Sequence, residues 1–159
     1  MITDAVVTND WYVIGRSEEL SEQGVLSTRL LDIDLVLWRT DDQIMVWTDS
    51  CAPRGTRLSL GEIKDSCLVC PYHGWEYNTS GRCVRIPAHP TRKPPATAKV
   101  QTYKARERYG LIWVTIGEPE SDVPPFVEWD DPRFRKVLCG PYSFQASGPR
   151  VLENFVDIA

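Results

Sequence analysis

Short apolar and β-branched runs, punctuated by Gly, Asp, Asn and Pro, organise most of this chain. Trp11 to Ile14 predicts a first strand. Ser17-Glu18-Glu19-Leu20 reads as one turn of helix, with a Ser at the N-cap and acids behind it. Gly24 opens a strand from Val25 to Leu31, and Ile33 to Trp38 follows at once. Thr40-Asp41-Asp42-Gln43 predicts a hairpin turn into Ile44 to Trp47. Lys99 to Lys104 and Leu111 to Ile116 complete the series. No long helical period appears before residue 147, and no internal repeat is visible. The pattern predicts an all-β, antiparallel β-sandwich or small barrel.

The pattern changes after Gly117. Glu118 to Asp131 holds six acids, no bases and the prolines Pro119, Pro124 and Pro125, which predicts a linker or a chain crossing a surface. Val137 to Gln145 predicts one more strand. Ser147-Gly148-Pro149 looks like a helix start. Val151, Leu152, Phe155, Val156 and Ile158 recur at helical spacing and leave Asn154 and Asp157 on another face. The expected division is a β domain over residues 1–117 and, over 118–159, an acidic linker with a short strand and the start of a helix. Residues 137–159 are expected to be disordered or to self-associate through the apolar face from Val151 to Ile158.

Charge and cysteine usage narrow the function classes. The balance of 18 basic and 22 acidic residues gives a net charge of −4 and a pI near 5.2, which argues against a general nucleic-acid binder. No apolar run approaches the roughly 18 residues of a membrane helix. Met1-Ile2-Thr3-Asp4 has no basic or apolar leader character, so a cytoplasmic protein is expected. Five cysteines in such a setting are read as metal ligands or core residues rather than a disulfide framework. Arg82 to Arg108 carries eight bases against the single acid Glu107. This stretch reads either as a solvated basic face or as a docking face for an acidic electron donor.

Two segments carry the candidate chemistry: Cys51-Ala52-Pro53-Arg54-Gly55 and Cys70-Pro71-Tyr72-His73-Gly74-Trp75. They resemble the ligand loops of the Rieske family, Cys-x-His-Arg-Gly and Cys-x-x-His-Gly-Trp, and the 16 residues between Pro53 and Cys70 keep that family's spacing. Leu58-Ser59-Leu60-Gly61, Glu76-Tyr77, Gly81-Arg82-Cys83 and Ile86-Pro87-Ala88 extend the likeness. At the far end, Glu153-Asn154-Phe155-Val156-Asp157 resembles the opening of the catalytic motif Glu-Asn-x-x-Asp-x-x-His-x-x-x-x-His of the Rieske non-haem iron oxygenase α subunits, the ring-hydroxylating and demethylating type.

The resemblance implies an all-β Rieske domain with two cluster-binding loops at adjacent tips. It implies a [2Fe-2S] cluster with two thiolates on one iron and two neutral imidazoles on the other, which makes reduction easier than in all-Cys ferredoxins. Carried over, Cys51 and Cys70 are the thiolate ligands and His73 is one imidazole. Pro53 occupies the fourth ligand position, and proline offers iron no donor atom. Its ring also predicts that the first loop does not close over the cluster, by fixing its own φ and biasing Ala52 toward extended conformations. Asp157 matches the family's bridging Asp between cluster and catalytic iron. No mononuclear Fe(II) is expected on this chain, since His73 and His89 are its only histidines. The implied partners are a reductase or ferredoxin donor and the family's trimeric subunits; no nucleic acid or membrane is expected.

The remaining candidates read as structural. His89 reads as an exposed loop histidine, Cys67 as a core residue of a strand running into the second loop, and Cys83 and Cys139 as small buried hydrophobes apart from the loops. Trp47, Trp75, Tyr77 and Trp113 read as strand aromatics of the core, and Tyr72 as a loop residue near the cluster. The leading functional expectation is the electron-transferring part of a Rieske oxygenase, as a fragment or degenerate copy. The alternatives are a stand-alone Rieske-like electron carrier and a zinc-binding or metal-free interaction module built on Cys51, Cys67, Cys70 and His73.

Overall fold

The computed structural model describes residues 4–41, 43–140 and 142–157. The chain divides into two compact units, Met1–Pro125 and Phe126–Ala159. The first unit is built from ten strands: β1 (Tyr12–Arg16), β2 (Val25–Leu30), β3 (Ile33–Thr40), β4 (Gln43–Thr48), β5 (Glu62–Lys64), β6 (Cys67–Val69), β7 (Glu76–Tyr77), β8 (Cys83–Arg85), β9 (Thr102–Arg108) and β10 (Leu111–Thr115). A single-turn helix α1 (Ala5–Thr8) precedes them. Six strands form an antiparallel sheet in the order β1-β10-β9-β4-β3-β2, which curls into a nearly closed barrel. The other four form a small antiparallel sheet in the order β5-β6-β7-β8.

Successive side chains of a strand point to opposite faces, and β3 and β4 bury both of theirs. Leu35, Leu37 and Val46 join Leu20, Ile112 and Val114 in one core. Val36, Trp38, Met45 and Trp47 face the other way, into a second core shared with Leu58, Leu68, Tyr77, Cys51, Cys70 and Cys83. Trp38 and Trp47 meet edge to face, with centroids 4.9 Å apart and planes at 79°. The continuous apolar runs of these strands are therefore what two-sided burial requires.

Hairpin chemistry accounts for the strand boundaries. Leu31-Asp32, Asp65-Ser66 and Tyr109-Gly110 each place two successive residues at positive φ, the backbone of the tight turns that match strand twist. The last of these sets the β9–β10 register, pairing Leu111 with Arg108 and Thr115 with Lys104. It moves the strand expected over Lys99 to Lys104 onward to Thr102–Arg108. The expected turn over residues 40–43 joins β3 to β4, with Asp42 outside the described residues. Short strands β5, β7 and β8 were not legible as apolar runs.

The acidic stretch begins against the β unit. Lys104 pairs with Glu118 and Arg106 with Asp122, while Arg108 and Tyr109 donate to the carbonyls of Val123 and Pro124. The second unit holds a 3-10 turn, Val127–Asp130, and α2, Gly148–Val156, with Ser147 at its N-cap. The strand expected over 137–145 is absent among the described residues there, most of which are exposed. Leu152, Phe155 and Val156 on α2 are all more than 60% exposed.

Both loops of the candidate site close in the same way. Gly55 N–H donates to the Cys51 carbonyl at 2.9 Å and Cys51 N–H to the Thr56 carbonyl at 2.8 Å. Gly74 N–H donates to the Cys70 carbonyl at 3.0 Å and Cys70 N–H to the Trp75 carbonyl at 2.9 Å. The glycines sit at φ +70° and +67°, the left-handed region that a side chain resists. The backbone turn of the first loop thus forms with Pro53 in place. None of its closing bonds uses an N–H at position 53, so proline costs the turn nothing there.

Two expectations follow from these contacts. Gly55→Ala should destabilise the protein by roughly 1–2 kcal/mol through backbone strain alone, its Cβ meeting nothing nearer than Ser50 Oγ at 3.7 Å. Gly74→Ala should cost more, because its Cβ would also stand 3.1 Å from Pro87 Cγ; urea denaturation of the two variants measures the order. The second concerns Arg39, whose Nη2 reaches both Glu107 carboxylate oxygens, at 3.0 and 3.1 Å, across the intervening β4. The hydrogen bond from Arg39 holds the Glu107 carboxyl below its ordinary value, partly opposed by burial. A carboxylate depressed in the folded state contributes stability above its unfolded pKa, and that contribution disappears as pH falls through the folded one. Glu107→Gln should therefore destabilise by up to about 1 kcal/mol near neutral pH, and the difference should vanish below the ordinary carboxylate range. Paired melts at the two pH values test this.

Candidate functional site

The first loop leaves β4 and runs into the 3-10 turn Leu58–Leu60; the second is the tip of the β6–β7 hairpin. Buried Asp49 staples the start of the first loop to that turn. Its carboxylate accepts from Ser59 N at 2.8 Å and from Ser59 Oγ at 2.6 Å, and its N–H donates to the Asp34 carbonyl. Charge-assisted bonds of this kind, two on one carboxylate, fix a loop more firmly than neutral ones.

Cys51 and Cys70 stand at equivalent positions of the two closed loops, both buried in the same core cluster. Tyr77, fully buried on β7, brings its hydroxyl to 3.2 Å from Cys51 Sγ and 3.3 Å from Ala52 N. The amide of Ala52 can only donate, so the Tyr77 oxygen accepts there and its proton is free for the sulfur. One hydroxyl thereby positions both the backbone and the thiol of the first loop.

Burial pushes the Cys51 thiol up to about 12; the Tyr77 hydrogen bond works against that rise, and neighbouring Cys70 and Cys83 add to it. Burial, with the bond to Cys51 behind it, likewise raises the Tyr77 hydroxyl, and burial raises Cys83. No cationic side chain offsets these effects on Cys51. A thiolate pair in this pocket therefore calls for a positively charged centre to stabilise it.

His73 lies exposed at the tip of the second loop, its ring 3.9 Å from that of Tyr72, which is itself exposed. Pro53 and Arg54 are exposed at the tip of the first. His89 sits exposed in the turn around residues 86–92, where its N–H donates to the Ile86 carbonyl. Cys67 is half-buried in β6 rather than in the core, its thiol raised chiefly by burial. Two readings of cysteines are corrected. Cys139 is exposed, on a stretch with no strand or helix to cover it. Cys83 is buried but not apart from the loops, since β8 pairs with β7 and carries it into the core of Cys51 and Cys70. Trp47 and Tyr77 are fully buried; Trp75 packs partly buried against the same core, and Trp113 is half-buried with its Nε1–H on the Arg108 carbonyl.

Asp157 caps the C-terminus of α2 and is exposed, its N–H donating to the Glu153 carbonyl at 3.1 Å. Reading the sequence missed the structural parts of Tyr77 and Asp49. Tyr77 carried a signal, being two positions after the loop tryptophan on a strand whose alternation turns it inward; Asp49 carried none beyond following a strand.

Comparison with known proteins agrees with this geometry. Residues 10–104 match the Rieske [2Fe-2S] domain family. Methylxanthine N1-demethylase NdmA of Pseudomonas putida is 40% identical over 141 residues, covering 87% of this chain and 40% of that protein. Oxidoreductase NdmD of the same species is 38% identical over 116 residues, covering 72% of this chain and 20% of that protein. The solved structure of Pseudomonas putida CBB5 NdmA superposes with a TM-score of 0.87 at 37% identity, covering 94% of this chain and 48% of that one. This chain thus spans less than half the length of the relatives it matches. Paired cysteine loops of one construction, a shared β framework and a match through both loops lead to one conclusion: the chain belongs to the Rieske [2Fe-2S] domain family.

Proposed function

We propose that this chain is the electron-transferring part of a Rieske-type oxygenase, with a cluster site that is degenerate at one of its four ligand positions. The observation that carries the reading is the pair of buried cysteines, Cys51 and Cys70, in one core cluster, held by two loops with the same closing bonds. Cys51 and Cys70 are assigned to one iron and His73 to the other. A [2Fe-2S] cluster bound there supplies one-electron transfer. The protein's part is to hold the loops shut, to bury the sulfur side and to leave the imidazole edge at the surface, where His73 is exposed.

The fit is good on the thiol side and fails on the imidazole side. Two buried cysteines, one of them with a thiol that burial keeps from deprotonating, suit a cationic iron pair, and Tyr77 supplies a hydrogen bond to that sulfur. Pro53 has no donor atom, and His89, in its own turn beyond β8, is not offered as a substitute. With the two histidines His73 and His89 in the sequence, a two-imidazole mononuclear iron site is not assigned to these residues. Asp157 is kept as the counterpart of the family's bridging Asp. The electron donor is assigned to a reductase or ferredoxin, in keeping with the likeness to an oxidoreductase, and the subunit is assigned to a trimer. Among the described residues no helix is long and apolar enough to cross a membrane.

The test is restoration of the missing ligand. The unmodified chain, produced with iron and sulfide supplied, should show no stable Rieske signal by electron paramagnetic resonance and little bound iron. Pro53→His should raise iron and acid-labile sulfide together, by at least about 10-fold, and bring the signal with them. Pro53→Ala should not, because the first loop already closes with proline in place. Equal rescue by Ala would remove the imidazole argument. A full Rieske signal from the unmodified chain would show the site to be complete, and bound zinc without sulfide would favour the metal-module alternative.

A further inference from the structure

A cleft of about 340 Å³ lies between the turn 78–82, the start of β8 and the loop 93–98, and none of the ligand-loop residues lines it. Its size is at the lower end of small-molecule sites. Its floor and rim are apolar: Val84, Pro94, Pro95, Ala96 and Ala98. Val84 is nearly half exposed for want of anything to cover it.

The cationic side chains of the cleft are Arg82 and Lys93, and its one side-chain oxygen, Asn78 Oδ1, is engaged. Asn78 Oδ1 is already engaged by Ser80 N, Ser80 Oγ and Arg82 N at 3.2, 2.8 and 3.1 Å. Those partners settle which end of the carboxamide is oxygen, and the Nδ2 donors have no partner among the described residues. Cys83 Sγ is spent on the Arg85 carbonyl at 3.4 Å. Arg82 and Lys93 make no ion pair among the described residues, whereas Arg85, Lys104 and Arg106 of the same basic stretch pair with Glu76, Glu118 and Asp122. No carboxylate lines the cleft, in a chain whose net charge is −4.

The walls are tied before any ligand arrives. Cys83 N–H donates to the Ala98 carbonyl at 2.9 Å, Ala98 N–H to the Pro95 carbonyl at 2.9 Å, and Val100 N–H to the Gly81 carbonyl at 2.8 Å. Little ordering is therefore left to oppose binding.

From this cationic side over an apolar floor, we infer that the cleft binds a small organic anion with an apolar body, such as an aromatic carboxylate. The anionic head meets Arg82, Lys93 and the Asn78 amide, and the body lies on Val84 and the two prolines. The inference goes beyond electron transfer and stands apart from the cysteine loops, so it survives or fails independently of whether the cluster assembles.

Sodium benzoate is the probe, titrated into the whole chain and followed by amide NMR. The signals of Cys83, Val84, Ala96 and Ala98 should shift and saturate in the millimolar range or tighter. Benzamide, of the same shape without charge, and inorganic phosphate, charged without an apolar body, should each bind at least about tenfold more weakly. Arg82→Gln with Lys93→Gln should weaken benzoate by at least the same factor while leaving the near-ultraviolet spectrum unchanged, both side chains being exposed; Lys93→Gln alone serves if the double variant does not fold. No saturable response, equal binding of benzamide or phosphate, or full benzoate binding by the folded variant would each overturn the inference.

Discussion

Burial of β3 and β4 on both faces is the constraint from which the rest of the first unit follows. Two adjacent strands serve two cores, so neither their register nor their length is free to change: a slip by one residue would exchange Trp38 and Trp47 with Leu37 and Val46. The barrel closes on one side of this pair and the small sheet packs on the other. The first cysteine loop leaves the end of β4 directly, and the second is carried by the small sheet packed on the same core. The two loops face each other because the strands and core beneath them have one way to pack.

Much of this was legible in the chain. Two-sided burial appears as unbroken apolar runs, and Ile33 to Trp38 and Ile44 to Trp47 were readable for that reason. Strands that bury one face or neither were harder. In β9, Thr-Tyr-Lys-Ala-Arg-Glu-Arg alternates against solvent and looks like a charged loop until its hairpin with β10 is known. The three-residue strands β5, β6 and β8 are too short to have a period. The loop cysteines were legible from spacing, but Tyr77 bridging a thiol and an amide is a long-range fact, as is the arrival of Cys83 beside them through the β7–β8 pairing. Cys139 shows that small apolar size does not by itself imply burial, since it lies exposed outside any strand or helix.

Burial makes Cys51 a poor thiolate unless positive charge is nearby. At the tip of the same loop, Pro53 offers no side-chain donor, and the backbone turn forms around it. The framework and the ligand set are thus separable properties of this domain, maintained by different residues.

That separability extends to the loop tips. Because each loop closes through its own backbone bonds and one left-handed glycine, a change of ligand leaves folding unchanged, and purification for folded protein does not filter it out. A loop held by its own backbone can therefore carry a different side chain at its tip without a change in its turn.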